Sequence, residues 1–342
     1  MTEIEVDFSR PLTGKQRQAL SKRLARLESE VMSESVEGAR NAFKLMAGRE
    51  LRRPLRVRSG FAYWADAPES RTVSDRSAPP KKDRPPATRI VSPRGVALRF
   101  VLTMIALQQA RHSKAGSRAT NDVPIRPTSG RDHGWADLIA SATPHADGLM
   151  YHTPLDKKVR HVQSALNALS GAHLVELEPG GKRPTYNGFR LLDECAGLNR
   201  PGSTLLPYTT PDREDSCLAL PAAFINEGWI HVLEDSEIAL LLMVACGIGN
   251  LEPGPQVAIP SRVRLLKYGI GRDSYSTAHP MLARFGLLEV EEIGRRDDGR
   301  VLQYGGDDGE AHVHRLQLMN DAFEGPALET VTNAIKDALD RS

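Results

Sequence analysis

The sequence contains little of what several classes of protein depend on. Three cysteines occur in 342 residues, and aromatic side chains make up 5% of the chain. Cys195, Cys217 and Cys246 are odd in number and widely spaced, which argues against a disulfide framework or a zinc site and favours buried thiols in a reducing compartment. The chain has no apolar run of about 18 residues, the length of a membrane span, and its first residues are acidic where a signal peptide would be basic. We expect a cytoplasmic protein that makes no membrane contact.

Charged residues are abundant but unevenly distributed. The net charge is +2, yet residues 1–196 carry 32 Lys and Arg against 21 Asp and Glu, whereas residues 197–342 carry 13 against 22. A basic first part suits a surface for phosphate groups, because Lys and Arg contacts release the counterions of DNA. The acidic second part needs a local basic patch to bind DNA, or has another role. An ordinary solvated surface is the alternative for the charge taken alone.

The first 65 residues predict a pair of helices. Thr13 and Gln16 fit a capping box at the start of the first helix, and the second is expected from about Ser35. We expect this pair to pack on the core of its own chain, with a second protomer as the alternative. Prolines then interrupt residues 66–91, which predicts a disordered, basic tether.

Residues 92–196 predict the order helix, short helix, helix, strand, basic turn and strand, which is the layout of a winged helix-turn-helix. The first helix is expected to begin at Ser92–Pro93. The third follows Thr153 as its N-cap, with apolar residues at spacings of four and three. The loop over residues 111–134 is long for a compact domain, which favours mobility or a function.

The same order of elements returns near the C-terminus and suggests a second copy of the module. Its third helix is expected from Asp273 or Ser274 and contains Pro280, which removes a backbone donor. The sequence therefore predicts an α+β fold, mostly helical, with two winged helix-turn-helix modules after a helical N-terminal segment. The predicted divisions are a helical segment 1–65, a linker 66–91, a first module 92–196, a connector 197–228, a second module 229–320 and a C-terminal helix 321–342.

Polar residues on the outward face of the third helix of each module are the candidate DNA contacts, because that helix fits the major groove. In the first module the candidates for phosphate contact are Lys157, Lys158 and Arg160, and those for base contact are His161, Ser164 and Asn167. The tip of its wing carries Lys182 and Arg183. In the second module the candidates are Arg262, Arg264 and Lys267 on the second helix, Arg272, Ser274, Tyr275 and His279 on the third, and Arg295, Arg296 and Arg300 in the wing. For the second module, dimerisation or binding of a partner protein is the alternative.

Signals for catalysis are weak. The glycine-containing stretch Gly197–Ser203 has no lysine where a phosphate-binding loop needs one. His312 and His314 flank a valine, an arrangement that rolling-circle nucleases use to hold a metal, but no tyrosine follows Tyr304 to act as the nucleophile. We therefore predict no enzymatic activity, no metal and no cofactor.

Residues 92–192 and 229–318 together resemble tandem winged-helix DNA-binding proteins in their order of elements. The segment from Leu220 to Met243 is similar to the lead-in to a winged helix in plasmid replication initiators. In such initiators two modules on one chain bind successive major grooves of repeated origin sites. The resemblance implies sequence-specific binding of double-stranded DNA by an initiator of plasmid or mobile-element replication. A transcriptional regulator, or a winged-helix module for protein interaction or segregation, is the alternative.

Overall fold

The computed structural model describes residues 4–5, 11–68, 77–92, 95–128, 133–142, 153–180, 185–195, 198, 205–252, 254–292 and 313–341. The helices are α1 (Gly14–Leu27), α2 (Glu30–Ala47), α3 (Pro86–Arg89), α4 (Ala97–Arg111), α5 (Pro154–Gly171), α6 (Ala223–Asn226), α7 (Trp229–Val232), α8 (Asp235–Cys246), α9 (Ser261–Lys267), α10 (Arg272–Arg284) and α11 (Ala327–Asp340). The strands are β1 (Ile4–Glu5), β2 (Leu55–Arg58), β3 (Val175–Glu178), β4 (Thr185–Leu191), β5 (Cys217–Leu220), β6 (Leu288–Glu292) and β7 (Arg315–Leu318).

The fold is α+β, as predicted, with helices that predominate over three small sheets. All the strand pairs are antiparallel within the described residues: β1–β6–β7 form one sheet, and β2–β5 and β3–β4 form two more. None of the helices in these ranges combines the length and the apolar character that crossing a lipid bilayer requires.

The two N-terminal helices begin at capped positions. Thr13 and Gln16 form the predicted capping box of α1. Ser29 caps α2, so the predicted start near Ser35 was late by more than one turn. The pair packs on its own chain, because α1 contacts α11 and α2 contacts α4.

Strand β2 joins the N-terminal part of the chain to the segment that was predicted to be a connector. It pairs with β5, and Leu55 lies opposite Leu220. Leu55 and Val57 point into the core and are fully buried, whereas Arg56 and Arg58 alternate with them on the other face. One continuous cluster of buried apolar residues therefore runs through all parts of the described chain. The division into modules stays a prediction.

The predicted linker, residues 66–91, is docked on the fold over its described residues 77–91. A 3-10 turn and α3 lie there, and Ala87 is 1% exposed. The Thr88 hydroxyl donates a hydrogen bond of 2.8 Å to the carbonyl of Tyr268, at the end of α9. The expectation of a disordered tether was wrong for these residues, because prolines end helices but do not prevent short turns from packing.

Gly269 allows a direct test of this docking. Its φ of 68° favours glycine, and a Cβ there would lie 2.5 Å from the Thr88 hydroxyl oxygen. Gly286 has a φ of 73°, but a Cβ at that position would meet no atom within 4 Å. We expect Gly269→Ala to lower the free energy of unfolding by about 1–3 kcal/mol more than Gly286→Ala, because only the former adds overpacking to backbone strain. Urea unfolding of both variants measures the difference, and equal losses would mean that residues 77–91 are not docked in solution.

The helices of the first predicted module surround an aromatic cluster. Helix α4 begins at Ala97 with Val96 as N-cap, so the predicted start at Ser92–Pro93 was wrong. The rings of Phe100, Trp135 and Phe189 join α4, the 3-10 turn at 135–138 and β4, with centroids 5.4–6.3 Å apart. The described part of the long loop is tied to this cluster, because Asn121 bonds both the Trp135 ring nitrogen and the Phe189 carbonyl.

In the second predicted module, α8, α9 and α10 precede β6 and β7 in the predicted order. Gly271 is the N-cap of α10, so the helix begins before the predicted caps Asp273 and Ser274. Pro280 lies inside α10, and the helix continues to Arg284.

Candidate nucleic-acid interface

Helix α5 has one buried face and one exposed face, as its periodicity predicts. Thr153 caps it through a capping box with Asp156. The buried face consists of Val162, Ala165, Leu166 and Leu169. The opposite face exposes Arg160, Ser164 and Asn167, which recur at spacings of four and three residues and so lie in one row.

A contact from the long loop fixes the first turn of α5. Arg126 forms an ion pair with Asp156. Hydrogen bonds from the backbone and hydroxyl of Thr153, together with Arg126, lower the pKa of Asp156 to about 2. Asp156 therefore stays ionised, and its charge balances part of the positive charge at this end of the helix. Lys157, in the same turn, is half-buried.

Lys158 and His161 do not belong to the exposed row. Both are half-buried, and burial lowers the pKa of each. The Nδ1 atom of His161 is buried and makes no hydrogen bond to the described residues. They lie on the flank where α5 meets neighbouring segments and are less exposed than predicted, and their role as DNA contacts stays a prediction.

His161 lines a cavity of about 610 Å³ that also contacts His231 of α7 and Asp235 of α8. His231 is 7% exposed. Burial, and then the positive charges of Arg99 and Lys158, lower the pKa of His231 to about 3. Its imidazole is therefore neutral at physiological pH. The cavity beside α5 thus contains an uncharged histidine.

Asn167 connects α5 to the hairpin. Its side-chain amide donates a hydrogen bond of 3.0 Å to the hydroxyl of Tyr186, in β4. Strands β3 and β4 pair antiparallel, with Val175 opposite Leu191. Tyr186 was missed at the sequence level because the contact spans 19 residues and no helical or strand period predicts it. The hairpin is thus held beside the exposed row.

The tips of both predicted wings lie outside the described residues. Lys182 and Arg183 fall there in the first module. In the second, so do Arg295, Arg296 and Arg300, and also His312 of the histidine pair.

The second predicted module exposes fewer of its candidates. Arg262, Arg272 and Ser274 are exposed. Lys267 is half-buried, and its ammonium donates a hydrogen bond of 2.5 Å to the carbonyl of Ala65. Lys267 therefore ties α9 to the segment after β2.

Arg264, Tyr275 and His279 form a buried stack and are not on an exposed face. They are 7%, 8% and 5% exposed. The Arg264 guanidinium lies 4.2 Å from the centre of the Tyr275 ring, a cation–π contact. The rings of Tyr275 and His279 are 4.8 Å apart, and His314 stacks on His279 at 5.4 Å. The prediction that these three side chains face a groove was wrong, because the segment before β7 covers this side of α10.

Within the described ranges, no group of three or more His, Cys, Asp or Glu side chains is placed to hold a metal ion. Comparisons of the chain with protein-family models, with curated proteins and with solved structures gave no significant match.

Proposed function

We propose that the chain binds double-stranded DNA through the exposed face of α5, with the β3–β4 hairpin as the wing of a winged helix. The single observation that carries the proposal is the row of Arg160, Ser164 and Asn167 on a capped helix that packs against that hairpin. A helix of this kind fits the major groove. A cation near its start suits a phosphate, and hydroxyl and amide groups suit base edges.

The second predicted module supports a narrower proposal. Its elements repeat the order of the first predicted module, with helices α8, α9 and α10 followed by strands β6 and β7. Arg262 and Arg272 are exposed on α9 and α10. Two such units on one chain would contact adjacent grooves, as an initiator of plasmid or mobile-element replication does at repeated sites. A transcriptional regulator with two half-sites is the alternative within the same class.

One observation favours a different role for the second predicted module. Arg264, Tyr275 and His279 are engaged with one another, which removes three of the predicted contacts from the surface that α9 and α10 present to DNA. A unit of this kind suits a homodimer contact or the binding of a partner protein. Arg272→Ala distinguishes the two roles, because it weakens DNA binding only if α10 lies in a groove.

Selection of a preferred duplex from a random pool, followed by fluorescence anisotropy over a range of salt concentrations, tests the proposal. We expect Ser164→Ala to cost about 1–3 kcal/mol at the selected site and to leave binding to unrelated duplexes nearly unchanged. Arg160→Ala should weaken binding to all duplexes alike and reduce the slope of log K against log salt by about one unit.

Arg341→Ala is the matched control, because Arg341 is exposed at the end of α11, outside both predicted modules. It removes the same charge and should leave affinity and slope almost unchanged. The proposal fails if the wild-type chain selects no duplex, or if Arg160→Ala and Arg341→Ala have equal effects.

A further inference from the structure

A cavity of about 370 Å³ beside β2 is lined, among the described residues, by five arginines and by no Asp or Glu. None of these residues is among the predicted DNA contacts. The arginines are Arg49, Arg52, Arg53, Arg56 and Arg213. Clefts lined by charge of one sign concentrate counterions, so this composition indicates a binding site for an anion.

Two of the arginines are held in place by hydrogen bonds to carbonyl oxygens and form no ion pair within the described residues. The Arg49 Nε donates a hydrogen bond of 2.6 Å to the carbonyl of Ala110. The Arg56 guanidinium donates one of 2.8 Å to the carbonyl of Asp212, and the Gln109 side chain accepts from the backbone nitrogen of Arg56. A guanidinium has five N–H donors. Bonds to carbonyls therefore orient both groups and leave donors for a ligand.

The other three arginines have no carboxylate partner among the residues that the structure describes. Arg52, Arg53 and Arg213 are exposed, and none forms an ion pair within the part of the chain that the structure describes. The nearby Glu50 is already engaged, because its carboxylate accepts a hydrogen bond of 2.9 Å from Lys44.

Arg58, two residues after Arg56 on the same strand face, shows how this fold neutralises an arginine that needs no ligand. Its guanidinium lies 2.9 Å from Glu194, 3.0 Å from Asp215 and 3.3 Å from Asp193. Three carboxylates surround one guanidinium there, whereas five guanidinium groups share the neighbouring cavity with none. Asp215 also interacts electrostatically with Arg56, but none of the described residues that line the cavity is a carboxylate, so its arginines can bind an anion from outside the chain.

We propose that this cavity binds the phosphate groups of a small phosphorylated ligand. The guanidinium fork matches phosphate oxygens and donates paired, charge-assisted hydrogen bonds to them. The site is concave, and its volume falls in the range of small-ligand pockets. Leu51, Pro54 and Pro211 supply apolar wall for the remainder of such a ligand. The inference goes beyond DNA binding and does not depend on α5.

Isothermal titration of the full chain with inorganic pyrophosphate, at constant ionic strength, tests the proposal. We expect saturable binding that weakens about a hundredfold in the double variant Arg53→Ala/Arg213→Ala, about tenfold for each guanidinium removed, because each donates charge-assisted hydrogen bonds to a phosphate. Both residues are exposed, so the variant should keep the wild-type unfolding midpoint.

The control is Arg190→Ala/Arg341→Ala, which removes two exposed positive charges elsewhere and should leave pyrophosphate affinity unchanged. Undetectable binding to the wild-type chain, or equal weakening in the two double variants, would overturn the proposal. So would displacement of pyrophosphate by duplex DNA, since the phosphates would then belong to a nucleic-acid backbone. The titration with pyrophosphate alone contains no DNA, so its result does not depend on whether the α5 variants lose DNA binding.

Discussion

Glu237→Gln should lower the free energy of unfolding at neutral pH by about 3–5 kcal/mol, the cost of leaving one charge of a buried ion pair without its partner. Arg23 of α1 and Glu237 of α8 are 8% and 2% exposed. The two terminal nitrogens of the Arg23 guanidinium donate to the two carboxylate oxygens of Glu237, at 2.6 and 2.8 Å. Burial opposes the charge on Arg23, but Glu237 and Glu234 together offset this effect, and the pKa of Arg23 is raised.

Replacing Glu237 with glutamine removes the ion pair but keeps the hydrogen bond that caps α8. Glu237 also accepts a hydrogen bond of 2.7 Å from the backbone nitrogen of Glu234 at the start of α8, and a glutamine oxygen can accept the same bond. The loss is therefore assigned to the buried guanidinium, which keeps only the longer ion pair of 3.8 Å with Glu234. Urea unfolding of Arg23→Met, Glu237→Gln and the double variant completes the cycle, and the double variant should lose less than the sum of the single losses.

The exposed pair Arg190 and Glu176 is the matched control. Its nitrogen and oxygen are 2.5 Å apart, but the two side chains are 64% and 48% exposed. Glu176→Gln should cost less than about 1 kcal/mol, because water screens the charges and solvates the partner that remains. Similar costs for Glu237→Gln and Glu176→Gln would mean that α1 does not pack against α8 in solution as the structure has it.

Local rules were sufficient for α1 and α5. Thr13 and Thr153 were predicted as helix caps, and each forms a capping box. The apolar residues of α5 were expected to face inward, and Val162, Leu166 and Leu169 are fully buried. Capping and periodicity depend on residues within one or two turns of each other, which is why the sequence alone reveals them.

The same rules failed where another segment decides the outcome. A helical period shows which residues share a face, but it does not show which chain segment covers that face. Tyr275 and His279 lie one turn apart on α10, and His314 covers them from a distant part of the sequence. Thr88 falls in the predicted tether, yet its hydroxyl bonds Tyr268, 180 residues away.

The arginine-lined cavity could not be predicted for a related reason. Arg49 to Arg56 are close in sequence and suggest only a basic stretch. Their assembly into a cavity depends on the pairing of β2 with β5, which brings Arg56 to Pro211, 155 residues away. Charge counts over long ranges indicate that a basic surface exists, whereas long-range strand pairing determines where it lies.

Lowering the pH from about 7 to about 5 should destabilise the chain by about 2 kcal/mol through His231 alone. The folded pKa of His231 is lowered to about 3, below the value of about 6.5 expected in the unfolded chain. Its contribution is therefore fully present above pH 6.5. As the pH falls toward 3, His231 is protonated in the unfolded chain but stays neutral in the folded chain. The free energy of unfolding therefore falls by about 1.4 kcal/mol per pH unit.

The measurement is the difference in pH dependence between the wild-type chain and His231→Gln, by urea unfolding at several pH values. Glutamine keeps a polar side chain of similar size but does not titrate, so the free energy of the variant should fall less steeply between pH 7 and 5. Burial raises the pKa of Asp235 beside the same cavity, which acts in the opposite direction at lower pH and is common to both proteins. His173→Asn is the control, because His173 is exposed and its φ of 59° suits asparagine. Parallel pH profiles for the wild-type chain and His231→Gln would show that His231 is open to water in solution and not buried as the structure has it.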